Sequence, residues 1–216
     1  MNESKYKVLL LDAANTIIHK PKLISRFLEA LNEAGIVIEE EILRRRHKLI
    51  SEVVDFPDQT SEQFYARFNS ELLLSLGIIP SEELLKDIFN KCTYLPWEPF
   101  PDTNILANVS QKTVILSNFN STLENKLKSV FNDNIFDLII GSEVEGVRKP
   151  HLDFYERAIS KLGVQPSEIL YVGDSIKLDI IPAKNSGIDA LLIDRDNNFP
   201  LFNKRITSLY QLSEYI

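Results

Sequence analysis

Apolar residues recur along the chain in two rhythms, one typical of strands and one typical of helices. Val8–Leu11 is a short apolar run bounded by charged residues, which predicts a buried strand rather than an ordinary helix. Beyond it, apolar residues return at every third or fourth position in four stretches: Lys22–Ala34, Glu39–Val54, Thr60–Gly77 and a last one that starts at Ser81. Consecutive helices without an intervening strand predict a small helical bundle.

A proline-rich segment, Tyr94–Pro101, separates this bundle from a different pattern. Prolines at such density end helices and stiffen the chain, as a connection between two units requires. Strands and helices then alternate, in the order Thr113–Leu116, Ser121–Val130, Phe136–Ile140, Asp153–Leu162, Ile169–Val172, Leu178–Ser186 and Ala190–Ile193. This alternation predicts an α/β fold, with a doubly wound and mostly parallel sheet that has helices on both faces.

The two patterns together predict two domains. Residues 1–18 and 99–216 should form the α/β core, and residues 19–98 should form an inserted helical domain. A chain of 216 residues is long enough for a complete α/β core and one modest second unit.

Composition narrows the class of protein. The formal charge of −7 and a pI near 5.1 argue against nucleic acid or an anionic membrane surface as a partner. The sequence has no apolar run near the ~20 residues of a membrane span, and its start lacks the apolar segment of a signal peptide. The one cysteine, Cys92, excludes an intramolecular disulfide. We therefore expect a cytoplasmic protein; its oligomeric state is not indicated.

Polar residues gather where the predicted parallel strands end. Asp12 follows the first strand, Ser117-Asn118 follows the second, and Gly173-Asp174-Ser175 follows the strand at 169–172. Lys149-Pro150 lies in a loop before a helix, and Asp179 comes five residues after Asp174. Because open α/β sheets bind ligands at the carboxyl ends of their strands, this pattern predicts one active site assembled from distant parts of the chain.

Three stretches resemble sequence motifs of one family. They are LDAANT at residues 11–16, GSEVEGVRKPHLDFYERA at 141–158 and EILYVGDSIKLDIIPAKNSGI at 168–188. Together they resemble the haloacid dehalogenase-like hydrolase superfamily, in the branch whose helical cap is inserted after the first strand. The resemblance spans nearly the whole chain. It implies a Rossmann-like core, a helical cap domain and a hydrolase, most often a phosphatase acting on a small phosphorylated substrate.

The resemblance assigns a nucleophile and a metal site. It implies that Asp12 attacks phosphorus and forms an aspartyl-phosphate, which divides one difficult displacement into two easier ones. A phosphate dianion approaches a group of carboxylates only when a cation neutralises them, and oxygen ligands favour Mg²⁺. The ligands implied are the carboxylates of Asp12 and Asp174 and the backbone carbonyl of Ala14.

The remaining matched residues would act around this nucleophile. Ser117 and the backbone N–H of Asn118 would hold a phosphoryl oxygen, and Lys149 would offset the charge that develops in the transition state. Asp179 would orient Lys149 or a metal-bound water. Thr16 would hydrogen-bond within the loop that carries Asp12 and fix it.

Position 14 departs from the phosphatase pattern. Phosphatases of the family carry a second aspartate there, which protonates the leaving alcohol and then activates water. The methyl group of Ala14 transfers no proton, although the backbone carbonyl is retained. The usual glycine that follows is replaced by Asn15, a residue that tolerates left-handed backbone angles better than most.

Several functions are compatible with this departure. The chain could be a slow phosphatase, or one that acts on acyl or aryl phosphates, whose leaving groups need no protonation. Phosphonatase-like members also carry alanine and use a cap lysine, for which Lys48 is the candidate although its surroundings do not match. Dehalogenase-like members lack the second aspartate but need no metal, whereas Asp174 is retained here. A pseudoenzyme that binds a partner without turnover is the remaining alternative.

Arg44, Arg45 and Arg46 form the basic run of an otherwise acidic chain. Glu40 and Glu41 precede them at i,i+4 spacing, which favours a solvated helix face whose charges pair among themselves. Attraction of an anionic substrate is the alternative interpretation.

Overall fold

The computed structural model describes residues 4–131 and 135–216. The chain divides into two compact units, one made of residues up to His19 together with Pro99–Ile216, and the other of Lys20–Glu98. The sequence-based boundaries differ from this division by one residue, because His19 groups with the first unit. The predicted core ranges also contain residues 1–3 and 132–134, which lie outside the described residues.

The helical unit contains four α-helices, all within the described residues: α1 (Leu23–Glu33), α2 (Glu40–Val53), α3 (Glu62–Ser75) and α4 (Glu82–Cys92). Serine caps explain where two of them begin, since Ser61 Oγ accepts from the N–H of Phe64 and Ser81 Oγ accepts from the N–H of Leu84. The cap at Ser81 was predicted. The third helix begins two residues later than the predicted Thr60, because Ser61 takes the capping position.

The interior of the helical unit is apolar and aromatic. Phe27, Phe68 and Leu72 belong to its buried cluster. Cys92 packs at the edge of this cluster, and burial raises the pKa of its thiol to about 12, which agrees with a packing role. No helix in the described part of the chain is long and apolar enough to cross a membrane.

Among the described residues, six strands of the other unit form one sheet and two short strands form a second. In chain order the strands are β1 (Val8–Leu11), β2 (Ile18–His19), β3 (Glu98–Pro99), β4 (Lys112–Ser117), β5 (Leu138–Gly141), β6 (Ile169–Gly173), β7 (Asp189–Ile193) and β8 (Arg205–Ile206). The large sheet has the order β5-β4-β1-β6-β7-β8, and all its neighbouring strands pair in parallel. The prediction of an α/β fold with a mostly parallel sheet is confirmed.

The helices of this unit are α5 (Leu123–Val130), α6 (Ser142–Glu145), α7 (Leu152–Leu162) and α8 (Ile181–Asn185), with 3₁₀ turns at Pro101–Asn108, Pro166–Glu168 and Leu209–Glu214. One predicted helix, Leu178–Ser186, is wrong in detail. The chain instead forms a π-helical segment at Ile176–Ile180 and then α8, which has Pro182 in its first turn. Because proline lacks an N–H, this position suits the start of a helix and not its interior.

Both faces of β1, in the middle of the large sheet, are buried, as its sequence requires. Val8 and Leu10 share one apolar cluster with Phe154 of α7. The alternate residues Leu9 and Leu11 are equally inaccessible to solvent. Strands covered on both faces read as continuous apolar runs, which explains why β1 lacks polar alternation.

Candidate active site

The carboxyl ends of three neighbouring strands bring the predicted residues together. β1 lies between β4 and β6, with Leu11 in register with Ile115 and Val172. The N–H of Asp12 continues this pairing by donating to the Val172 carbonyl over 2.9 Å. Asp12 therefore enters its loop beside the ends of both neighbours, β4 and β6, as the strand-end argument predicts.

Asp12 is buried and held by two polar side chains. Its Oδ1 accepts from the Ser117 hydroxyl at 3.0 Å and from the Lys149 ammonium at 2.6 Å. Burial raises the pKa of the Asp12 carboxyl to about 6, against the attraction of Lys149. Both contacts fall on Oδ1, so the second carboxylate oxygen stands outside this pair of hydrogen bonds.

Lys149 bridges two carboxylates. Its Nζ donates to Asp12, to Asp179 Oδ1 at 2.6 Å and to the Tyr171 hydroxyl at 3.1 Å. Only 3% of Lys149 is exposed. Burial opposes its charged form, but Asp12 and Asp179 outweigh burial and raise the pKa of Lys149 above its ordinary value. Lys149 therefore carries its charge in the interior.

Asp179 uses both carboxylate oxygens inside the site. Oδ1 accepts from Lys149 and from the Tyr171 hydroxyl at 2.7 Å, while Oδ2 accepts from the N–H of Ser175 at 2.9 Å. It lies on the π-helical segment directly against the end of β6. A Cβ built on Gly173 would be 2.4 Å from Asp179 Cγ, so only glycine leaves room for this carboxylate.

Asn118 holds the loop of Lys149 through the backbone. Its side-chain amide donates to the Lys149 carbonyl at 3.0 Å, and its Oδ1 accepts from the Lys149 N–H at 2.8 Å. This reciprocal pair joins the end of β4 to the loop before α7. The asparagine side chain is therefore engaged in positioning Lys149.

Three carboxylates form the acidic part of the site. One oxygen from each of Asp12, Asp174 and Asp179 lies within 4.8 Å of the other two. Lys149 pairs with two of them, Asp12 and Asp179. Carboxylate oxygens are the hard donors that Mg²⁺ prefers, and the donor set therefore fits that ion.

The loop after Asp12 is closed by backbone hydrogen bonds. The N–H groups of Thr16, Ile17 and Ile18 donate to the Ala13 carbonyl, and the Asn15 N–H donates to the Ile18 carbonyl at 2.7 Å. Asn15 adopts a φ of 60°, in the left-handed region. The turn thus persists without glycine, as its asparagine predicts.

Thr16 takes part in this loop through its backbone, since its N–H donates to the Ala13 carbonyl. Its Oγ1 is buried and makes no hydrogen bond within the described residues, whereas its carbonyl accepts from Arg195 at 2.7 Å. Arg195 also forms a two-pronged pair with Asp102, at 2.7 and 3.0 Å. Although burial opposes ionisation, the hydrogen bonds from Arg195 and Ser208 lower the pKa of Asp102.

Sequence reasoning missed Tyr171, Gly173 as a spacer, and Arg195. Tyr171 interrupts the apolar run of β6, and a buried tyrosine hydroxyl requires a partner, which was the available signal. In the sequence, Gly173 is only the first residue of the polar stretch that follows the strand at 169–172. Arg195 gave no local signal, because its partners Thr16 and Asp102 lie 179 and 93 residues away.

Lys48 and Arg44, two basic residues for which the sequence leaves a role in substrate chemistry open, belong to the helical unit. The Lys48 ammonium pairs with Glu52 at 2.8 Å within α2, and both side chains are largely buried. On the same helix, Arg44 pairs with Glu40 as the i,i+4 spacing predicts.

Known proteins resemble this chain over most of its length. A family model described as haloacid dehalogenase-like hydrolase matches residues 6–187. A glyceraldehyde 3-phosphate phosphatase of Methanopyrus kandleri is 27% identical over 206 residues, which cover 88% of this chain and 84% of that protein.

Two further similarities differ in how much they cover. Haloacid dehalogenase-like hydrolase domain-containing protein 3 of Xenopus laevis is 33% identical over 87 residues, or 40% of this chain. The match spans 36% of the frog protein's length. The structure of YfnB from Bacillus subtilis, described as a HAD-hydrolase bound to magnesium, superposes with a TM-score of 0.67 at 18% identity over 97% of both chains. It supports the fold.

Proposed function

Because the chain belongs to the haloacid dehalogenase-like hydrolases, we propose that it is a magnesium-dependent phosphatase of small phosphorylated molecules. The observation that carries the proposal is the buried Asp12 carboxylate, held on one oxygen by Ser117 and Lys149. A nucleophile needs such fixed orientation, because a displacement requires the attacking oxygen in line with the leaving group. The relative named glyceraldehyde 3-phosphate phosphatase supports a small phosphorylated substrate.

The proposed reaction has two displacements at phosphorus. An Asp12 oxygen forms a bond to phosphorus, and the bond to the leaving oxygen breaks with its electron pair on that oxygen. A water oxygen then bonds to phosphorus and the phosphorus–oxygen bond to Asp12 breaks, which restores the carboxylate. Phosphate leaves with one proton of the water, and the other proton passes to solvent. Ser117 and the backbone N–H of Asn118 hold phosphoryl oxygens during both steps, and Lys149 offsets the charge that accumulates on them.

Magnesium would be held by Asp12, Asp174 and the backbone carbonyl of Ala14. When bound it would neutralise the carboxylates and polarise the phosphoryl group. Asp179 serves Lys149 in this scheme, because it pairs with the Lys149 ammonium and is held in place by Tyr171 and the Ser175 N–H.

Ala14 sets the substrate preference. Proton transfer to a leaving group by a positioned side chain is worth about 10²–10⁴-fold in rate, and a methyl group supplies none of it. Alkyl phosphates, whose alkoxide leaves poorly without a proton, should therefore react slowly. Acyl and aryl phosphates release stabilised anions and should react faster.

The test is a hydrolysis assay with acetyl phosphate, p-nitrophenyl phosphate and glycerol phosphate, with Mg²⁺ and with EDTA. We expect Mg²⁺-dependent turnover of the first two, no turnover by Asp12→Asn, and a gain of at least about tenfold on glycerol phosphate in Ala14→Asp. Asp189→Asn is the matched control, since Asp189 starts β7 at the opposite edge of the sheet. It should behave as the wild type.

Two outcomes would contradict the proposal. If the wild type binds Mg²⁺ but hydrolyses none of these compounds, the chain is a binding protein on an enzyme scaffold. If it releases chloride from 2-chloropropionate equally well with EDTA, the reaction is dehalogenation, which Ala14 also permits.

A further inference from the structure

Arg195 joins three separate parts of the core unit. Its guanidinium donates to both oxygens of Asp102, at 2.7 and 3.0 Å, and to the Thr16 carbonyl at 2.7 Å. The same group lies 3.7 Å from the centre of the Phe100 ring, which stacks with His19 at 4.0 Å. Arg195 directly follows Asp194 at the end of β7, in the sheet that supports the site.

The anchor of this arginine is itself fixed. Asp102 also accepts from the Ser208 hydroxyl at 2.7 Å and from the Leu209 N–H at 2.8 Å, and it is buried. A carboxylate with four donors has little freedom to move, and the planar guanidinium paired with it is confined to one orientation. The ion pair with Asp102 therefore orients the guanidinium so that it also donates a hydrogen bond to the Thr16 carbonyl.

The target of that donation is the loop that begins at Asp12. The Thr16 side chain makes no hydrogen bond within the described residues, so it does not fix the loop. Two backbone carbonyls connect the loop to the rest of the core unit. The Thr16 carbonyl accepts a hydrogen bond from Arg195, and the Ile17 carbonyl accepts one from the Phe100 N–H at 3.0 Å. Arg195 packs on Phe100 as well, so it supports both connections.

On these contacts, and given the proposed function, we infer that Arg195 is a positioning residue for the nucleophile loop. It holds residues 13–18 in the conformation that aims Asp12, through the Thr16 carbonyl. This role differs from that of an ion pair that only adds stability. Lysine can replace arginine here only in part, because an ammonium lacks the planar guanidinium that binds Asp102 and Thr16 together.

Arg205 provides a matched control. It is also a partly buried arginine paired with a buried aspartate, Asp194, at 3.3 Å. The exposed fractions of the two arginine side chains are similar, at 17% for Arg195 and 23% for Arg205. No described contact of Arg205 reaches residues 13–18, so Arg205→Met removes an ion pair without touching the loop.

The first measurement is kinetic, with p-nitrophenyl phosphate and Mg²⁺. Arg195→Met should lower kcat by about 100-fold, the cost expected of a misplaced nucleophile, with KM changed less than about threefold. Arg195→Lys should recover only part of this loss. Arg205→Met should keep kcat within about twofold. Equal losses in the Arg195 and Arg205 variants would overturn the inference.

The second measurement does not depend on activity. Hydrogen exchange followed by mass spectrometry reports on the loop amides, whose donations to Ala13 and Ile18 depend on its conformation. Exchange of residues 13–18 should be about tenfold faster in Arg195→Met and unchanged in Arg205→Met. If the wild type proves inactive, the proposed function fails while this comparison still decides the inference, and unchanged exchange in Arg195→Met refutes it.

Discussion

Gly173 makes the sharpest test of how the site is built. Alanine at this position would place its Cβ at 2.4 Å from Cγ, 2.5 Å from Oδ2 and 2.6 Å from Cβ of Asp179. Asp179 cannot swing aside cheaply, because Lys149, Tyr171 and the Ser175 N–H hold its two oxygens. The clash must therefore displace the π-helical segment or break these hydrogen bonds.

Gly173→Ala should lower the free energy of unfolding by about 1–3 kcal/mol, the usual cost of overpacking a filled interior. For a chain of this size that corresponds to a fall of about 2–12 °C in melting temperature. Displacement of Asp179 also moves Lys149 away from Asp12, so kcat/KM for acetyl phosphate should fall by about 10–100-fold.

Gly141 is the matched control, because it ends β5 as Gly173 ends β6. Its backbone is extended, with φ −105° and ψ 140°, and an added Cβ would approach nothing closer than 3.5 Å. Gly141→Ala should therefore raise stability by about 0.4–1 kcal/mol through the unfolded state and leave kcat/KM unchanged. The two substitutions should thus have opposite effects on stability.

Far-ultraviolet circular dichroism is the suitable probe of unfolding, because Trp97, the one tryptophan, lies in the other unit. Melting curves and acetyl phosphate kinetics of both variants complete the comparison. If Gly173→Ala melts at or above the temperature of Gly141→Ala and keeps full kcat/KM, Asp179 does not occupy the space above β6, and the Lys149 arrangement described here is wrong.

Two further predictions concern the buried hydroxyl of Tyr171 and the partly buried imidazole of His47. Tyr171→Phe removes the hydroxyl that contacts Lys149 and Asp179 and should lower kcat by about tenfold or more. Tyr155→Phe loses hydrogen bonds to the backbone carbonyls of Leu178 and Asp179, at 2.6 and 3.5 Å, and none to the Asp179 carboxylate; it should reduce stability but keep kcat within about twofold. Burial lowers the pKa of His47 to about 4 from its ordinary 6.5. Because the unfolded chain therefore binds a proton at His47 more tightly than the folded chain, the free energy of unfolding falls as the pH drops from about 6.5 towards 4. Urea unfolding followed by Trp97 fluorescence measures the free energy of unfolding at each pH. Between pH 7 and 5, this free energy should fall by about 2 kcal/mol less in His47→Gln than in the wild type. His151→Gln is the control, and an equal fall in the two variants would contradict the prediction.

Sequence and structure agree on the features that follow from a parallel sheet. Apolar runs of four to six residues alternate with amphipathic stretches, and this pattern leaves few topologies open. Parallel strands bring their carboxyl ends to one edge, so Asp12, Ser117 and Asp174 could be placed together before any contact was known. Asp179 and Lys149 required the family resemblance as well, since neither ends a strand.

Sequence and structure disagree where a feature depends on contacts between distant residues or on distances between a few atoms. Tyr171 inside an apolar strand indicates that its hydroxyl needs a partner, but not that the partners are Lys149 and Asp179. Helical periodicity does not distinguish an α-helix from a π-helical turn, so the segment before Pro182 was assigned to one regular helix. Gly173 is required by its distance to Asp179, a quantity that only coordinates supply.

In the proposed function, position 14 has two separate roles, one for its backbone in the loop after Asp12 and one for its side chain in proton transfer. The loop after Asp12 is built from main-chain hydrogen bonds among Ala13, Asn15 and Ile18, and Ala14 itself pairs with Ile18 through the backbone. None of these bonds uses the side chain at position 14, so the loop does not depend on whether that side chain is a methyl group or a carboxylate. Ala14 is half-buried, so an aspartate there keeps access to solvent and is not forced to stay neutral. Ala14→Asp should therefore melt within about 2 °C of the wild type while it gains activity on alkyl phosphates. A variant that folds equally well but gains nothing would mean that more than a proton donor is missing from this site.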